Sequence, residues 1–257
     1  PYSFNVESVE ELALISEVSK KLKKKARICF RLNPVVKAKT HKHISTGNKT
    51  HKFGMLLDDV FTALEDKNIW KHCKLVGLSI HIGSQLLDLK ATEKAVIKLC
   101  EAALLMPNNL EFLDVGGGLG VDYHPDDSKK MPPLQAYMDL IQKIFEKHYY
   151  SYRSKPIRVV FEPGRKISAK AGILVMSVLR NKVSEDNNFL IVDGGMNDFM
   201  RPSLYGAFHD IIPVKKAPAK KTYHVVGPIC ETSDCFGSGR KLPELKQNDL
   251  IVLADTG

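Results

Sequence analysis

Residues 110–120 read LEFLDVGGGLG, an apolar run of strand length followed at once by three adjacent glycines. Glycines in this position let backbone N–H groups approach a phosphate closely. A tight turn explains them equally well. The dinucleotide-binding pattern G-x-G-x-x-G is excluded, because Val121 stands where its last glycine is required. The stretch therefore predicts a strand that ends in a turn or a phosphate-binding loop.

Apolar runs of similar length recur along the first two thirds of the chain, at 26–32, 75–82 and 157–161. Helix-like spacing of apolar residues lies before and between these runs, near 7–25, 56–67, 88–105 and 134–148. Ser8 and Glu11 fit a capping box at the start of the first helix. Strands that alternate with helices predict a parallel sheet.

Polar or glycine-rich segments follow the apolar runs. They lie at 33–54, 81–85, 116–120 and 163–165. Ligand-binding groups after the carboxyl ends of successive strands are typical of a β/α barrel. Four strand–helix units are too few to close an eight-stranded barrel, so the sequence predicts an α/β fold with a partial TIM-type barrel.

The sequence pattern changes after about residue 168. Short β-rich runs, separated by prolines and glycines, occupy 173–179, 189–192, 223–226 and 250–253. This pattern predicts a second, mainly β domain of the Greek-key-like barrel type. We therefore expect two domains: residues 1–168, a partial β/α barrel, and residues 169–257, a partial β domain.

Composition limits the class of protein. With 257 residues, 44% of them hydrophobic, the chain can bury a sizeable core. Its longest apolar runs are strand-sized, so no membrane span is expected. Five cysteines form no C-x-x-C pair and no Cys/His ligand spacing. This argues against a disulfide framework or a metal site and favours the reducing cytoplasm.

The chain is basic, with a formal net charge of +9 whose densest sources are the lysine-rich segments 20–25 and 215–221. Basic runs can bind nucleic acid, but no aromatic residues interleave these two. Solvated surface is the simpler interpretation, and no nucleic-acid partner is expected.

Two motifs after apolar runs have the chemistry of a binding site. In the segment 162–165, Arg165 can clamp a phosphate or carboxylate, and Glu162 can hold a pyridinium N–H. A surface salt bridge is the alternative. His81 and Ser84 suit a ring stacked on an aromatic cofactor and a hydroxyl on its phosphate, although a lone histidine at a strand end is usually a core residue.

Two further pairs lie in the second part of the chain. Arg201 and Tyr205 are four residues apart and can point a cation and a phenol at one acidic ligand, or form an ordinary loop. Cys230 and Glu231 place a thiol beside a carboxylate. This suits proton donation next to recognition of a cationic group, although most such pairs have no function.

Five segments, taken together and in order, carry a family resemblance: HIGSQ at 81–85, DVGGGLG at 114–120, EPGR at 162–165, DGGMNDFMRPSLYG at 193–206 and GPICETSD at 227–234. The chain resembles the diaminopimelate decarboxylases, which belong to the alanine-racemase-like (fold-type III) pyridoxal-phosphate enzymes. The likeness runs from residue 4 to the end and is especially close at RLNPVVKAKTHKHISTGNKTHKFGM, residues 31–55. Ornithine and arginine decarboxylases share the class but lack this segment and GPICE.

The resemblance implies a pyridoxal 5'-phosphate site. His81 should stack on the pyridine ring, and Glu162 should pair with the ring nitrogen. The other cofactor contacts, mainly to the phosphate, should come from Ser84, Gly117, Gly118, Pro163, Gly164 and Arg165.

It also implies the substrate contacts and the assembly. Arg165, Arg201 and Tyr205 should lie at the substrate and its carboxylate. Cys230 should donate the proton after carbon dioxide leaves, and Glu231 should bind the distal ammonium. In this family, the residues at the positions of Cys230 and Glu231 reach into the partner subunit's site. The resemblance therefore implies a homodimer with shared sites.

The implied activity is the decarboxylation of meso-2,6-diaminopimelate to L-lysine, the last step of lysine biosynthesis, by a cytoplasmic enzyme without a metal. A decarboxylase for another basic amino acid, such as ornithine or carboxynorspermidine, is an alternative. A non-catalytic homologue that binds a partner is another.

Two family features are absent from the sequence. No motif like Y-A-x-K-A-N, which carries the cofactor lysine of the family, occurs among the 257 residues. The chain also stops at Gly257, before the family's G-A-Y tyrosine. Because it begins with Pro1 and shows no leader-like segment, we expect a piece, or a processed product, of a longer protein, with little or no decarboxylase activity alone.

Overall fold

The computed structural model of the protein describes residues 2–36, 52–124, 131–185 and 187–257. Most of the segment 33–54, which carries part of the family resemblance, lies outside the described residues. Contacts within the chain define two compact units. The first comprises residues 1–120 and 131–164, and the second comprises residues 121–130 and 165–257. The domain boundary at residue 168 stays a prediction.

The first unit is a five-stranded parallel sheet whose strands follow each other in sequence order, β1-β2-β3-β4-β5. The strands are β1 (Phe4–Val6), β2 (Ala26–Leu32), β3 (Cys73–Ile80), β4 (Phe112–Gly117) and β5 (Arg158–Glu162). The helices are α1 (Val9–Lys21), α2 (Leu57–Glu65), α3 (Lys67–Trp70), α4 (Lys90–Leu105) and α5 (Leu134–Phe145), the last extended by a π-helical turn at Glu146–Tyr150. The predicted partial β/α barrel is confirmed.

Helix α1 shows how local sequence sets an element. The Ser8 side chain accepts a hydrogen bond from Glu11 N–H at 3.1 Å, as the capping box predicts. The Glu11 carboxylate accepts from the N–H of Glu7, one residue earlier than the capping box places it. The helix ends near Lys23, whose backbone adopts a left-handed conformation with φ 52°.

One face of the parallel sheet packs against the helices. Its core is formed by fully buried side chains, among them Leu12, Ile28, Phe30, Leu78, Leu99 and Leu113. Burying a side chain of this size stabilises the fold by about 1.5–3 kcal/mol. This face holds the strands in place and thereby positions the loops at their carboxyl ends.

The other face of the sheet has a small apolar cluster of its own, formed by Cys29, Val76 and Phe112. Cys29 pairs across the sheet with Gly77, and Gly77 pairs with Phe112. A Cβ atom at Gly77 would lie 2.6 Å from the ring of Phe112, so the aromatic ring requires a glycine opposite. At the amino ends of the strands, Glu111 pairs with Arg27 at 2.6 Å.

The second unit is a six-stranded mixed sheet in the order β10-β9-β7-β6-β11-β8. Its strands are β6 (Leu174–Ser184), β7 (Asn187–Val192), β8 (Ile211–Pro213), β9 (Lys221–Val226), β10 (Cys235–Leu242) and β11 (Leu250–Leu253). Two short helices, α6 (Arg165–Ser168) and α7 (Arg201–Tyr205), and a 3-10 turn at Ala169–Ala171 complete it. The predicted mainly β domain is confirmed.

The core of this unit consists of alternate residues from its strands, among them Met176, Val178, Leu190, Val192, Tyr223, Val225, Ile251 and Leu253. Strands β7 and β9 are parallel, and the other pairs are antiparallel. Across the described parts of both units, every helix is too short or too polar to traverse a bilayer.

Candidate active site

The carboxyl ends of β3, β4 and β5 bring three predicted site residues together in the first unit. Gly117 pairs directly with Glu162 in the sheet. The Gly117 N–H donates to Nδ1 of His81 at 3.3 Å. Oε2 of Glu162 lies 3.6 Å from the same imidazole nitrogen, with 28% of the histidine and 44% of the glutamate side chain exposed. An imidazole and a carboxylate therefore stand side by side, both within reach of a ligand.

Glu162 is held in its ionised form. The neighbouring imidazole of His81 lowers the pKa of Glu162, and partial burial opposes this effect only in part. The charge of Arg31 and a hydrogen bond from Asp114 lower it further. An anionic carboxylate at this place can accept a hydrogen bond from a protonated nitrogen of a ligand.

Asp114, on β4, is the buried partner of this carboxylate. It is 4% exposed, and its Oδ1 accepts a hydrogen bond from Gly116 N–H at 2.8 Å. Burial raises the pKa of Asp114 to about 6, against the effect of the Gly116 hydrogen bond, and the neighbouring Glu162 raises it further. Below about pH 6, the proton bound by this pair of carboxyls resides on Asp114 and not on Glu162. Sequence reasoning missed this residue, although an aspartate inside the apolar run LEFLDV was the available signal.

The Asp114→Asn variant of the complete protein is expected to gain stability over the parent as pH rises. Because the pKa of Asp114 is raised in the folded state, its contribution to stability is complete below about pH 4 and is lost as pH rises through about 6. Urea unfolding should show that the difference in free energy of unfolding, variant minus parent, is larger at pH 8 than at pH 5 by about 1–3 kcal/mol. The exposed Asp139→Asn variant serves as the control, and a pH-independent difference would contradict the assignment.

The three adjacent glycines at 116–118, where β4 ends, are required by close backbone packing. A Cβ at Gly117 would lie 2.0 Å from the carbonyl oxygen of Glu162. Gly118 adopts a left-handed conformation with φ +90°, and its Cβ would lie 2.0 Å from the carbonyl oxygen of Gly83. The carbonyl of Gly118 also accepts from Leu86 N–H at 2.9 Å. The glycines thus join the loop after β3 to the ends of β4 and β5, whether or not a phosphate binds there.

The Gly118→Ala variant should therefore destabilise the fold, whereas Gly164→Ala should not. At Gly118 both the positive φ and the overlap oppose a side chain, and we expect a loss of about 2 kcal/mol or more in the free energy of unfolding. At Gly164 a Cβ would meet nothing within 4 Å, so a change within about 0.5 kcal/mol is expected. Urea titrations of both variants of the complete protein provide the comparison; equal stability would show that the loop around Gly83 can move aside.

Two arginines meet at one tyrosine in the second unit. Nη1 of Arg165 donates to Oη of Tyr123 at 2.7 Å. The Arg201 guanidinium lies 4.5 Å from the centroid of the same ring. Burial, and then the charge of Arg165, lower the pKa of Arg201, although an arginine remains protonated at physiological pH. In the part of the chain that the structure describes, no carboxylate forms a salt bridge with Arg201, so this cluster suits an anionic ligand.

Helix α7 places Arg201 at its first and Tyr205 at its last residue. Residues four apart lie on the same side of a helix, and both side chains are half-buried. Gly206, with φ +60°, ends the helix in the left-handed conformation. The pair predicted from the sequence is thus brought together on one short helix. Tyr123, which bridges the two arginines, was missed by sequence reasoning.

The segment 227–234 is a loop between β9 and β10 that Asp234 organises. Its carboxylate, 3% exposed, accepts from the N–H groups of Met196 at 2.7 Å and Ile229 at 2.8 Å. Cys230 and Glu231 are exposed on this loop. Among the described residues, no hydrogen bond or ion pair joins them to Arg201. Asp234 is a further residue that sequence reasoning missed.

Over residues 2–36, 52–124, 131–185 and 187–257, no group of three or more His, Cys, Asp or Glu side chains is placed to hold an ion.

A family model described as "Pyridoxal-dependent decarboxylase, pyridoxal binding domain" matches residues 2–169. The chain therefore belongs to the pyridoxal-dependent decarboxylases.

The relatives refine this assignment. Diaminopimelate decarboxylase of Aquifex aeolicus is 39% identical over 99% of this chain and 59% of its own length. That of Campylobacter jejuni is 39% identical over 98% of this chain and 61% of its own length. The chain spans about three fifths of the length of these relatives. The resemblance to diaminopimelate decarboxylases inferred from the sequence is confirmed.

Solved structures agree. The crystal structure of diaminopimelate decarboxylase from Helicobacter pylori complexed with L-lysine matches with a TM-score of 0.89 and 38% identity, over 99% of this chain and 62% of that one. Lysine/ornithine decarboxylase complexed with cadaverine from Vibrio vulnificus matches with a TM-score of 0.76 and 22% identity, over 99% of this chain and 62% of that one. This second likeness supports the fold alone.

Proposed function

We propose that the complete protein is a pyridoxal-phosphate-dependent decarboxylase that converts meso-2,6-diaminopimelate to L-lysine and carbon dioxide. One observation carries the proposal: almost the whole chain aligns, at 36–39% identity, with proteins named diaminopimelate decarboxylase. The lysine bound in the Helicobacter pylori relative is the product of that reaction. The lysine/ornithine enzyme, at 22% identity, gives no comparable support for another basic amino acid.

The residues of the first unit fit the cofactor. When bound, pyridoxal phosphate supplies an electron sink that takes up the electron pair of the broken Cα–carboxylate bond. Glu162, ionised and partly exposed, would hold the proton on the pyridine nitrogen, and His81 would stack on the ring. The remaining proposed contacts of this unit, to the phosphate and the substrate side, are Ser84, Gly117, Gly118, Pro163 and Gly164. Arg165, the first residue of the second unit after Gly164, is also proposed as a contact.

The residues of the second unit fit the substrate. Arg201, with Tyr205 and Arg165, binds a substrate carboxylate; the absence of a described carboxylate partner for Arg201 supports this. Glu231 binds the distal ammonium, and Cys230 delivers a proton to Cα once carbon dioxide has left. The far end of a diamino diacid carries both an ammonium and a carboxylate group. Glu231 is proposed to bind the ammonium, and Arg201 the carboxylate.

We further propose a homodimer in which Cys230 and Glu231 act in the partner's site. Their exposure on the loop at 227–234, apart from any described contact with Arg201, supports this arrangement. All five cysteines are free, which supports a reducing, cytoplasmic location. We also propose that residues 1–168 form the cofactor-binding domain and residues 169–257 the β domain.

A substrate panel tests the activity. The purified complete protein, supplied with pyridoxal phosphate, should release carbon dioxide from meso-diaminopimelate and form lysine, with ornithine and carboxynorspermidine converted poorly or not at all. Faster turnover of either alternative substrate would replace the proposed one. Failure to decarboxylate any of the three would favour the non-catalytic homologue.

A further inference from the structure

His209 is the most completely buried charged or polar side chain near the arginine cluster. It is 0% exposed. Its ring lies 4.7 Å from the ring of Tyr123 and meets Phe199 edge-on at 4.8 Å. An imidazole enclosed in this way has few orientations available, so its two nitrogens hold their partners in fixed directions.

The hydrogen bonds of His209 define its protonation. Nη1 of Arg201 lies 2.9 Å from Nε2 of His209. Because a guanidinium can only donate, Nε2 accepts. The ring proton therefore sits on Nδ1, which donates to the carbonyl oxygen of Ala254 at 2.9 Å. The histidine is neutral in this arrangement.

The charges around the ring agree with a neutral imidazole. Burial is the main cause that lowers the pKa of His209, and the guanidinium charges of Arg201 and Arg165 add to it. The Ala254 carbonyl and the Asp255 carboxylate act in the opposite direction without reversing the shift.

One nitrogen of the Arg201 guanidinium, Nε, is buried and has no hydrogen-bond partner in the described part of the chain. His209 engages Nη1, and the guanidinium also hydrogen-bonds with Tyr123, so Nε is the donor that remains for a ligand oxygen to satisfy. A carboxylate oxygen that binds there satisfies a buried donor, which is the situation in which a charge-assisted hydrogen bond contributes most.

We propose that His209 is a positioning residue that holds the Arg201 guanidinium with its Nε edge available to the substrate carboxylate. The inference rests on the proposed function, since it assumes that Arg201 binds that carboxylate. His209 itself does not touch substrate. It acts by accepting from one end of the guanidinium and by anchoring itself to the Ala254 carbonyl.

Two amide variants separate the contacts of His209. The His209→Gln side chain can place its amide oxygen, an acceptor, where Nε2 lies in the parent. It therefore retains the hydrogen bond from Arg201. The His209→Asn side chain has a donor at the position of Nδ1 and so retains only the bond to Ala254. Both lose the ring equally. Steady-state kinetics of the complete protein with diaminopimelate, together with melting temperatures, provide the comparison.

The proposal predicts that His209→Asn raises KM about tenfold with kcat within about threefold of the parent, as expected for loss of one hydrogen bond to a charged group. His209→Gln should keep KM within about threefold of the parent. The reverse order would mean that the Ala254 bond is what matters, and equal values in both variants would mean that His209 does not position Arg201. Either result overturns the proposal.

A second measurement does not depend on activity or on the variants folding. In the parent protein labelled with ¹⁵N-histidine, the ring shifts of His209 should show the neutral tautomer with the proton on Nδ1. An imidazolium, or a proton on Nε2, would overturn the inference. If the parent does not decarboxylate diaminopimelate but the tautomer is as expected, the proposed function fails while the Arg201–His209 arrangement stands.

Discussion

Replacing Glu162 with glutamine in the complete protein is expected to lower kcat by about two to three orders of magnitude, the range seen when a preorganised electrostatic partner is removed. The variant keeps the size of the side chain but loses the negative charge that the neighbouring His81 favours. Without that charge, the variant loses the group that we propose holds the proton on the cofactor nitrogen. Carbon dioxide release at saturating substrate is the measurement.

A matched control is Glu65→Gln, at the end of α2 on an exposed surface. It makes the same chemical change outside the site and should leave kcat unchanged. Cofactor binding is followed in parallel by absorbance, so that a loss of bound cofactor is not mistaken for a loss of rate. Full activity of Glu162→Gln with cofactor bound would remove Glu162 from its proposed role.

The second large effect is expected at Cys230. The Cys230→Ala variant removes the proposed proton donor, and loss of a positioned acid or base lowers rates by about 10²–10⁴-fold. Substrate binding should change little, because the carboxylate contacts lie elsewhere. The expected signature is a fall in kcat with KM nearly constant, measured by lysine formation.

Cys235→Ser is the control for this experiment. Cys235 lies five residues further along, with its Sγ 3.7 Å from Oγ of Ser238, and it has no proposed part in the reaction. Its replacement should leave kcat within about twofold of the parent. If Cys235→Ser, and not Cys230→Ala, abolishes turnover, the proton donor has been assigned to the wrong thiol.

The parallel sheet is predictable from sequence because its strands are buried and its helices are amphipathic, so each leaves a clear apolar pattern. Strands β1 and β10 are not predictable in this way. β1 has three residues, and β10 includes two glycines and irregular pairing with β9. Each of these strands joins its sheet by pairing with a strand distant in the sequence. Local sequence patterns contain no information about that pairing.

The candidate site shows the same division. Residues in compact motifs, such as His81 and Glu162, are identifiable because the motif surrounds them. Asp114 and Tyr123 gain their importance from contacts with distant residues, a carboxyl 48 positions away and an arginine 78 positions away. His209 is eight positions from Arg201 but is anchored by a carbonyl 45 positions away. Burial is the main cause of the raised pKa of Asp114, and burial is a property of the folded chain.

The pairing of Gly77 with Phe112 restricts how this protein can change over generations. Enlarging residue 77 first would drive a Cβ to 2.6 Å from a buried ring, a strain that a close-packed interior cannot relieve cheaply. Shrinking residue 112 first leaves a void, which reduces stability but permits the next step. The two positions therefore form one epistatic unit with a preferred order of mutation, and related sequences should replace the aromatic ring before they replace the glycine.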